Sequence, residues 1–282
     1  MRLRTIAIVA ACVLIAGVAL WLVGRDSGDG APDRAMTVTT TVTEVTATPD
    51  ASSESQPMAP AASTEPDTQP REGPRPDHLL DLPSSGHPIV WVRRGETVEL
   101  RAEPGGEVVR NLGEQTRFGS VHAFSVVRRS GQWAGAPTPY RDNDELAWLR
   151  LDERRLESGS TPYEIRVDLS DFRGELVRGS RVVRSFPVTV GAESTPTPTG
   201  RFAITDTFRG NLNPAYGCCA LATTARQADL PSGWLGGDRI AIHGTTGELG
   251  AAASNGCVRA GNADVSLLVE EAPVGTPVII RE

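Results

Sequence analysis

The first pattern along the chain is an unbroken apolar run over residues 6–23, with Arg2 and Arg4 before it and Gly24, Arg25 and Asp26 after it. In a helix rising about 1.5 Å per residue, such a run reaches most of the way across a ~30 Å hydrocarbon layer. It predicts a single N-terminal anchor over residues 1–25, with the two early arginines favouring a cytoplasmic N-terminus. A cleaved signal and, through Val9-Ala10-Ala11-Cys12, a lipidated one remain alternatives. All three put the remainder outside the cytoplasm. Residues 26–83 are Thr, Pro, Ser, Ala, Asp and Glu with few large apolar positions, too little to offset the entropy of ordering, so a disordered spacer is expected there.

From residue 84 the pattern changes to short β runs. Ile89–Val92, Val98–Leu100, Phe124–Val127 and Ala147–Leu149 read as strands, separated by turns such as Pro104-Gly105-Gly106 and Ser130-Gly131, and predict a small β domain over 84–158. A second domain is expected over 159–282. There Tyr163, Ile165, Val167 and Leu169 alternate with Glu164, Arg166, Asp168 and Ser170, the period of a half-buried strand. Arg181–Val190 is another, with Pro187 pointing to an edge or bulge. Arg201–Ile204, Arg239–Ile242 and Pro277–Ile280 follow. One helix is predicted after residue 261, capped by Asn262, with Asp264 in its first turn and Val265, Leu268 and Val269 on one face. Many strands and one helix predict a mainly β fold, a sandwich or mixed β architecture.

Composition narrows the chemistry. The 282 residues carry a formal charge of -7, with no basic stripe to neutralise phosphates, so nucleic acid is excluded as a partner. All 28 basic residues are arginine. Without lysine, Schiff-base catalysis and any Ser–Lys dyad are impossible, because both need an amine that loses its proton. Beyond Cys12, the cysteines are Cys218, Cys219 and Cys257, an odd and uneven set that is no disulfide framework. For the adjacent pair we weigh three readings: two small buried residues, a regulatory bridge from either one to Cys257, or a zinc site with His243.

The chemistry concentrates in Ile240-Ala241-Ile242-His243-Gly244-Thr245 and Ser254-Asn255-Gly256-Cys257-Val258-Arg259. A strand delivers His243 at its end, and Cys257 follows a glycine fourteen positions later. A thiol with a free pKa of ~8.5 is only slightly ionised near neutrality and needs a base. His243 is the one histidine after residue 159 and therefore the one imidazole of that domain available to Cys257.

These two segments resemble the catalytic motif of the bacterial L,D-transpeptidases (YkuD type). The resemblance extends to Ile165–Ser170, Phe186–Gly191, Thr195–Gly200, Pro214–Gly217 and Pro273–Val278. It implies a YkuD-like β-sandwich or mixed β catalytic domain. The string from Val98 to Leu151, with Gly131-Gln132-Trp133 and Trp148, resembles a bacterial SH3-like barrel, which implies a wall-binding or positioning module in front of it. The family resemblance implies a cysteine acyltransferase of peptidoglycan. Cys257 takes the acyl group of a stem tetrapeptide with release of D-alanine and passes it to an amine; His243 is base and then acid. It further implies that Thr245 or its backbone orients the imidazole, that Gly244, Gly256 and the Cys257 amide surround an oxyanion site, and that Arg259 binds a substrate carboxylate. Ser254 and Tyr216 are expected at the pocket. Asn255 stands where the family usually has histidine; it can hydrogen-bond but cannot titrate near neutrality. An L,D-carboxypeptidase sending water to the thioester, and a wall-binding protein whose site has decayed at Asn255, are the alternatives. The expected partners are peptidoglycan stem peptides and, through the N-terminal helix, a membrane; no cofactor or metal is implied.

Overall fold

The computed structural model describes residues 78–233 and 237–282. The apolar run and most of the expected spacer lie outside the described residues. Among the described residues no helix is long and apolar enough to cross a membrane.

The first lobe consists of β1 (His87–Val92), β2 (Val98–Arg101), β3 (Val108–Leu112), β4 (Ala123–Ser125), β5 (Arg128–Ser130), β6 (Trp133–Pro137), β7 (Leu146–Arg150) and β8 (Leu156–Thr161). They form two small sheets, β4-β1-β8 and β3-β2-β7-β6-β5. Alternation decides what each strand buries: Val98 and Leu100 point inward while Glu99 faces water. Both sheets feed one core, with Val90 and Leu156 from the first meeting Leu100 and Leu149 from the second. The result is a small barrel-like lobe.

The second lobe continues with β9 (Tyr163–Asp168), β10 (Arg173–Arg178), β11 (Arg181–Gly191), β12 (Gly200–Arg209), β13 (Cys219–Arg226), β14 (Arg239–Thr245), β15 (Ala252–Ser254), β16 (Val258–Gly261), the helix α1 (Asn262–Glu271) and β17 (Pro277–Arg281). Nine strands are ordered β10-β9-β17-β12-β13-β14-β16-β11-β15, and an added β10–β11 pairing closes the sheet on itself. Closure is possible because β11 changes partner part-way. Its first half pairs with β10 up to Pro187, and from Val188 it pairs with β16. Proline, which has no N–H for a ladder, sits at that change of partner. The fold is mainly β with a single α-helix among the described residues, as expected.

The helix begins at Asn262 and buries Val265, Leu268 and Val269 against the same core as Leu221, Ile242 and Val258. Its cap differs from the expectation. Gly261 is the N-cap, and the Asn262 side chain accepts the Cys218 N–H at 3.0 Å instead. The asparagine ties the helix start to the head of β13 and has no oxygen left for its own first turn.

The two lobes pack as one unit. Asn143 of the first lobe donates to the Arg226 carbonyl at 2.8 Å and accepts the Arg226 N–H at 2.8 Å, standing in for a strand neighbour at the end of β13. The Thr116 hydroxyl donates to Asp206, and Phe118 meets Phe208 edge-on with ring centroids 5.2 Å apart. The first lobe thus leans on the outer face of β12 and β13.

Candidate active site

The outer face of the second lobe's sheet follows from burial and register. On β14, Ile240 and Ile242 are in the core, so Arg239, Ala241 and His243 face the other way. β16 runs parallel to β14 with Ile242 beside Val258 and His243 beside Arg259, which puts Cys257 next to Ala241. The Ala241 N–H donates to the Cys257 Sγ at 3.5 Å. Across the sheet, Ala220 pairs with His243 and Ala222 with Ala241, while Phe208 pairs with Ala220 and Asp206 with Ala222. Two rows therefore cross one face: Phe208, Ala220, His243, Arg259, and Asp206, Ala222, Ala241, Cys257. With strands about 4.8 Å apart and about 3.3 Å per residue, the Cα atoms of His243 and Cys257 are roughly 8 Å apart on the diagonal, and their side chains share a face. Ala220, Ala222 and Ala241 keep this face low around the pair, and Ala241 is the partly exposed one.

His243 is 5% exposed. Its Nδ1 lies 3.0 Å from the Gly244 carbonyl, which can only accept, so Nδ1 carries the proton and Nε2 keeps a free lone pair. Tyr216, at the end of the 3-10 turn Pro214–Tyr216, packs edge-on against the ring with centroids 4.9 Å apart. The ring is therefore oriented by the Gly244 carbonyl and Tyr216. Thr245 serves elsewhere, its hydroxyl accepting the Gly247 N–H at 3.0 Å. Gly244 itself has no room for a side chain, since a Cβ would come within 2.3 Å of the Asn262 oxygen.

The cysteine turn is braced from below. Ser254 is buried; its hydroxyl donates to the Cys257 carbonyl at 2.6 Å and accepts the Gly256 N–H at 3.1 Å. This spends the Ser254 hydroxyl inside the turn and removes the Gly256 N–H from any oxyanion site. The Cys257 amide is left as the backbone donor next to the sulfur. Gly256 adopts φ +103°, and a Cβ there would fall 2.4 Å from Gln227 Nε2, so only glycine fits. Two threonines that the sequence reading did not assign complete the brace: Thr195 donates to the Ser254 carbonyl at 3.0 Å and Thr197 to the Gly256 carbonyl at 2.8 Å. Gln227 ties the same strap by donating to the Pro196 carbonyl at 2.9 Å. The alternating Thr-Pro-Thr-Pro-Thr was the available signal, a stiff segment with regularly spaced hydroxyls.

This arrangement, an imidazole on β14 and a thiol just before β16, lies inside residues 162–280, which match the family model of the YkuD L,D-transpeptidase catalytic domain. The second lobe is thus similar, over nearly its whole length, to the YkuD L,D-transpeptidase catalytic domain. The Bacillus subtilis protein named L,D-transpeptidase YkuD is 34% identical over 122 residues, 43% of this chain and 66% of that protein. Its Bacillus licheniformis counterpart is 33% identical over 121 residues, 42% of this chain and 66% of the relative. The match thus stops short of two thirds of these relatives' length. Among solved structures, L,D-transpeptidase 3 of Mycobacterium tuberculosis shares 16% identity at a TM-score of 0.36, covering 50% of this chain and 76% of that one. An L,D-transpeptidase of Mycobacterium smegmatis shares 15% at 0.36, covering 55% and 80%.

In this lobe Asn255 is exposed beside the turn. Arg259, partly buried next to His243, has no ion-pair partner among the described residues, and its charge reaches both His243 and Cys257. Cys218 and Cys219 are bonded to each other. That bond is none of the three readings weighed for the pair, and it leaves Cys257 the free thiol of the described residues. Among the same residues no group of three or more His, Cys, Asp or Glu side chains could hold a metal ion.

Burial sets the resting charge state. It lowers the His243 pKa below its ordinary 6.5, with the Gly244 hydrogen bond opposing and Arg259 adding to the effect. It raises the Cys257 thiol, with the Ala241 N–H and Arg259 pulling back. The resting pair is therefore neutral thiol and neutral imidazole. Four residues of β16 separate Cys257 from the helix, too far for the helix dipole to lower the thiol.

The same burial lowers His87 and His122. Each of these three histidines has a folded pKa below its unfolded one, so its contribution to stability is complete above about pH 6.5 and is lost as pH falls through the folded values. Asp152, held at about 2 by hydrogen bonds from Arg154, adds an acid limb that begins below 3.8. Thermal unfolding is expected to show a lower midpoint at pH 5 than at pH 7.5, with a second loss below pH 4. A midpoint that is flat or rises from pH 7.5 to 5 contradicts the assignment.

Proposed function

We propose that this protein is an L,D-transpeptidase of peptidoglycan with Cys257 as nucleophile. In the first half-reaction Sγ attacks the carbonyl between the L-centre of diaminopimelate and the following D-alanine of a stem tetrapeptide. The thiol proton passes to His243 Nε2 as the S–C bond forms. The C–N bond then breaks, D-alanine leaves with the proton returned by the imidazolium, and a thioester remains. In the second half an amine from another stem attacks the thioester, gives its proton to His243, and the thiolate leaves and is reprotonated. The amide of Cys257 is the donor for the oxyanion, and Arg259 pairs with a substrate carboxylate. The reading puts the catalytic lobe outside the cytoplasm, where such a substrate lies.

The observation that carries it is the pairing of β14 with β16, which brings an imidazole and a free thiol to one sheet face beside an arginine without an ion-pair partner among the described residues. The test is incubation with a purified stem tetrapeptide, read by mass spectrometry. Release of D-alanine, an acyl adduct on the Cys257 peptide, and a crosslinked dimer when a second stem is present are expected. Tripeptide without dimer at any acceptor concentration makes the enzyme an L,D-carboxypeptidase. Absence of D-alanine release by folded protein removes the enzymatic reading.

A further inference from the structure

A cleft of about 420 Å³ opens between the two lobes, walled by Arg110, Arg117, His122 and Tyr140 of the first lobe and floored by Asp206 and Arg239 of the second. Its volume is within the range of ligand sites, about 300–1,000 Å³. Its position bears on the reaction. Arg239 is two residues before Ala241 on the outward side of β14, and Ala241 touches the nucleophile. Asp206 ends the row that contains Cys257. At about 3.3 Å per residue and about 4.8 Å per strand, the cleft floor begins roughly 8 Å from that row's cysteine end and extends to roughly 14 Å. An extended peptide covers this distance in two to four residues.

The lining has a definite chemical bias. Asp206 already accepts the Thr116 hydroxyl, and Asp238, also on the wall, is ion-paired with Arg226. The guanidinium of Arg110 stacks over Tyr140 at 4.7 Å and that of Arg117 over Phe118 at 4.5 Å. Neither arginine has an ion pair among the described residues, so aromatic faces hold both groups in place with their N–H edges unspent. His122 donates from Nδ1 to the Gly113 carbonyl at 2.8 Å, and its Nε2 is buried without a partner. Burial keeps that imidazole neutral, so Nε2 is an acceptor. The cleft thus offers fixed cationic forks for a carboxylate and one buried acceptor for an amide N–H.

We propose that the inter-lobe cleft is a second peptide subsite, in which Arg110 and Arg117 take the carboxylate of an acidic residue upstream of the bond that Cys257 attacks while His122 accepts a backbone N–H of the same segment. The assignment rests on the function proposed above and gives the first lobe a part in substrate selection. The test compares wild type with Arg110→Ala/Arg117→Ala on two tetrapeptides, one with its glutamyl carboxylate free and one with it amidated. Imipenem acylation of Cys257 is the reference reaction, because this small acyl donor has no upstream peptide. For the free acid, KM is expected to rise at least tenfold in the double variant, and by at least tenfold more than any change in imipenem acylation. Amidation should raise the wild-type KM similarly and have little further effect in the variant. Equal sensitivity to amidation in both proteins, or an unchanged KM, overturns the subsite. Both arginines are exposed, and Arg117→Gln alone provides the same comparison if the double variant does not fold. If wild type turns over neither tetrapeptide, the functional reading fails by itself, and the cleft is decided by the His122 ring resonances on titration with the free-acid tetrapeptide. A shift that disappears in the variant supports the subsite, and no shift overturns it.

Discussion

Cys257→Ala is expected to lose all covalent labelling by imipenem and to lower tetrapeptide turnover by on the order of 10⁶-fold, the scale on which removing a covalent nucleophile acts elsewhere. The loss is expected to be this complete because no second thiol is free among the described residues: Cys218 and Cys219 are bonded to each other. Stability should hardly change. The sulfur is at a sheet end and partly exposed, and its one hydrogen bond is a weak contact from the Ala241 N–H; about 1 kcal/mol or less is at stake. Intact-protein mass spectrometry beside a urea unfolding curve separates the two effects. A mass increase that survives in the folded alanine variant would assign the nucleophile to another residue. The neutral resting pair adds a pH signature in wild type. Because burial raises the thiol, alkylation by iodoacetamide should climb with pH past the ordinary thiol midpoint of about 8.5 rather than level off below it.

What could be read from the sequence depended on whether a strand has one wet face. Tyr163–Asp168 alternates because one side is in the core and the other meets solvent, and period two identified it. The eight residues of β13 escaped the same reading. Seven of them are buried, since the core covers one face and the first lobe and Tyr216 region crowd the other, so Ala and Thr fill both sides and no alternation survives. β16 was hidden differently, as a four-residue central strand of Val, Arg, Ala and Gly between β14 and β11. The reading accordingly passed from Cys257 almost directly to the helix, although a strand intervenes and makes the His243 row possible.

The candidate site shows the same division. His243 and Cys257 stood out because each sits next to a glycine in a short, distinctive run, which local sequence reports; the strand carrying His243 in fact continues through Thr245. The partners of those residues depend on contacts far along the chain. Ser254 looked like a pocket hydroxyl, yet two backbone groups within three residues consume it. Asn262 looked like a helix cap, yet the Cys218 amide, forty-four residues away, takes its oxygen. The Asn143 clamp on Arg226 and the Thr116 bond to Asp206 join lobes that were read as separate domains, and nothing in either local sequence points to the other.

His243→Gln is the second large effect: acylation of Cys257 should slow by about 10²- to 10⁴-fold, the range for loss of a positioned general base. The argument rests on the resting charge state. If the thiolate were already formed, the imidazole would matter mainly through its charge, and a neutral amide would remove only that. Here the thiol is held protonated and the imidazole neutral, so the proton must move as the S–C bond forms, and glutamine has no lone pair basic enough to take it. The pH profile distinguishes this role from a structural one. In wild type the imidazole's folded pKa lies below 6.5, so the acylation rate should hold down to that pH and fall only as Nε2 becomes protonated. In the variant that acid limb should vanish, and the residual rate should rise about tenfold per pH unit, following the small thiolate fraction, up to the raised thiol pKa. An acid limb that persists unchanged in His243→Gln would belong to another group and would move the base away from β14. A variant that is slower at every pH by one constant factor would make the ring a packing residue for Tyr216 and leave the thiol's proton without a named acceptor.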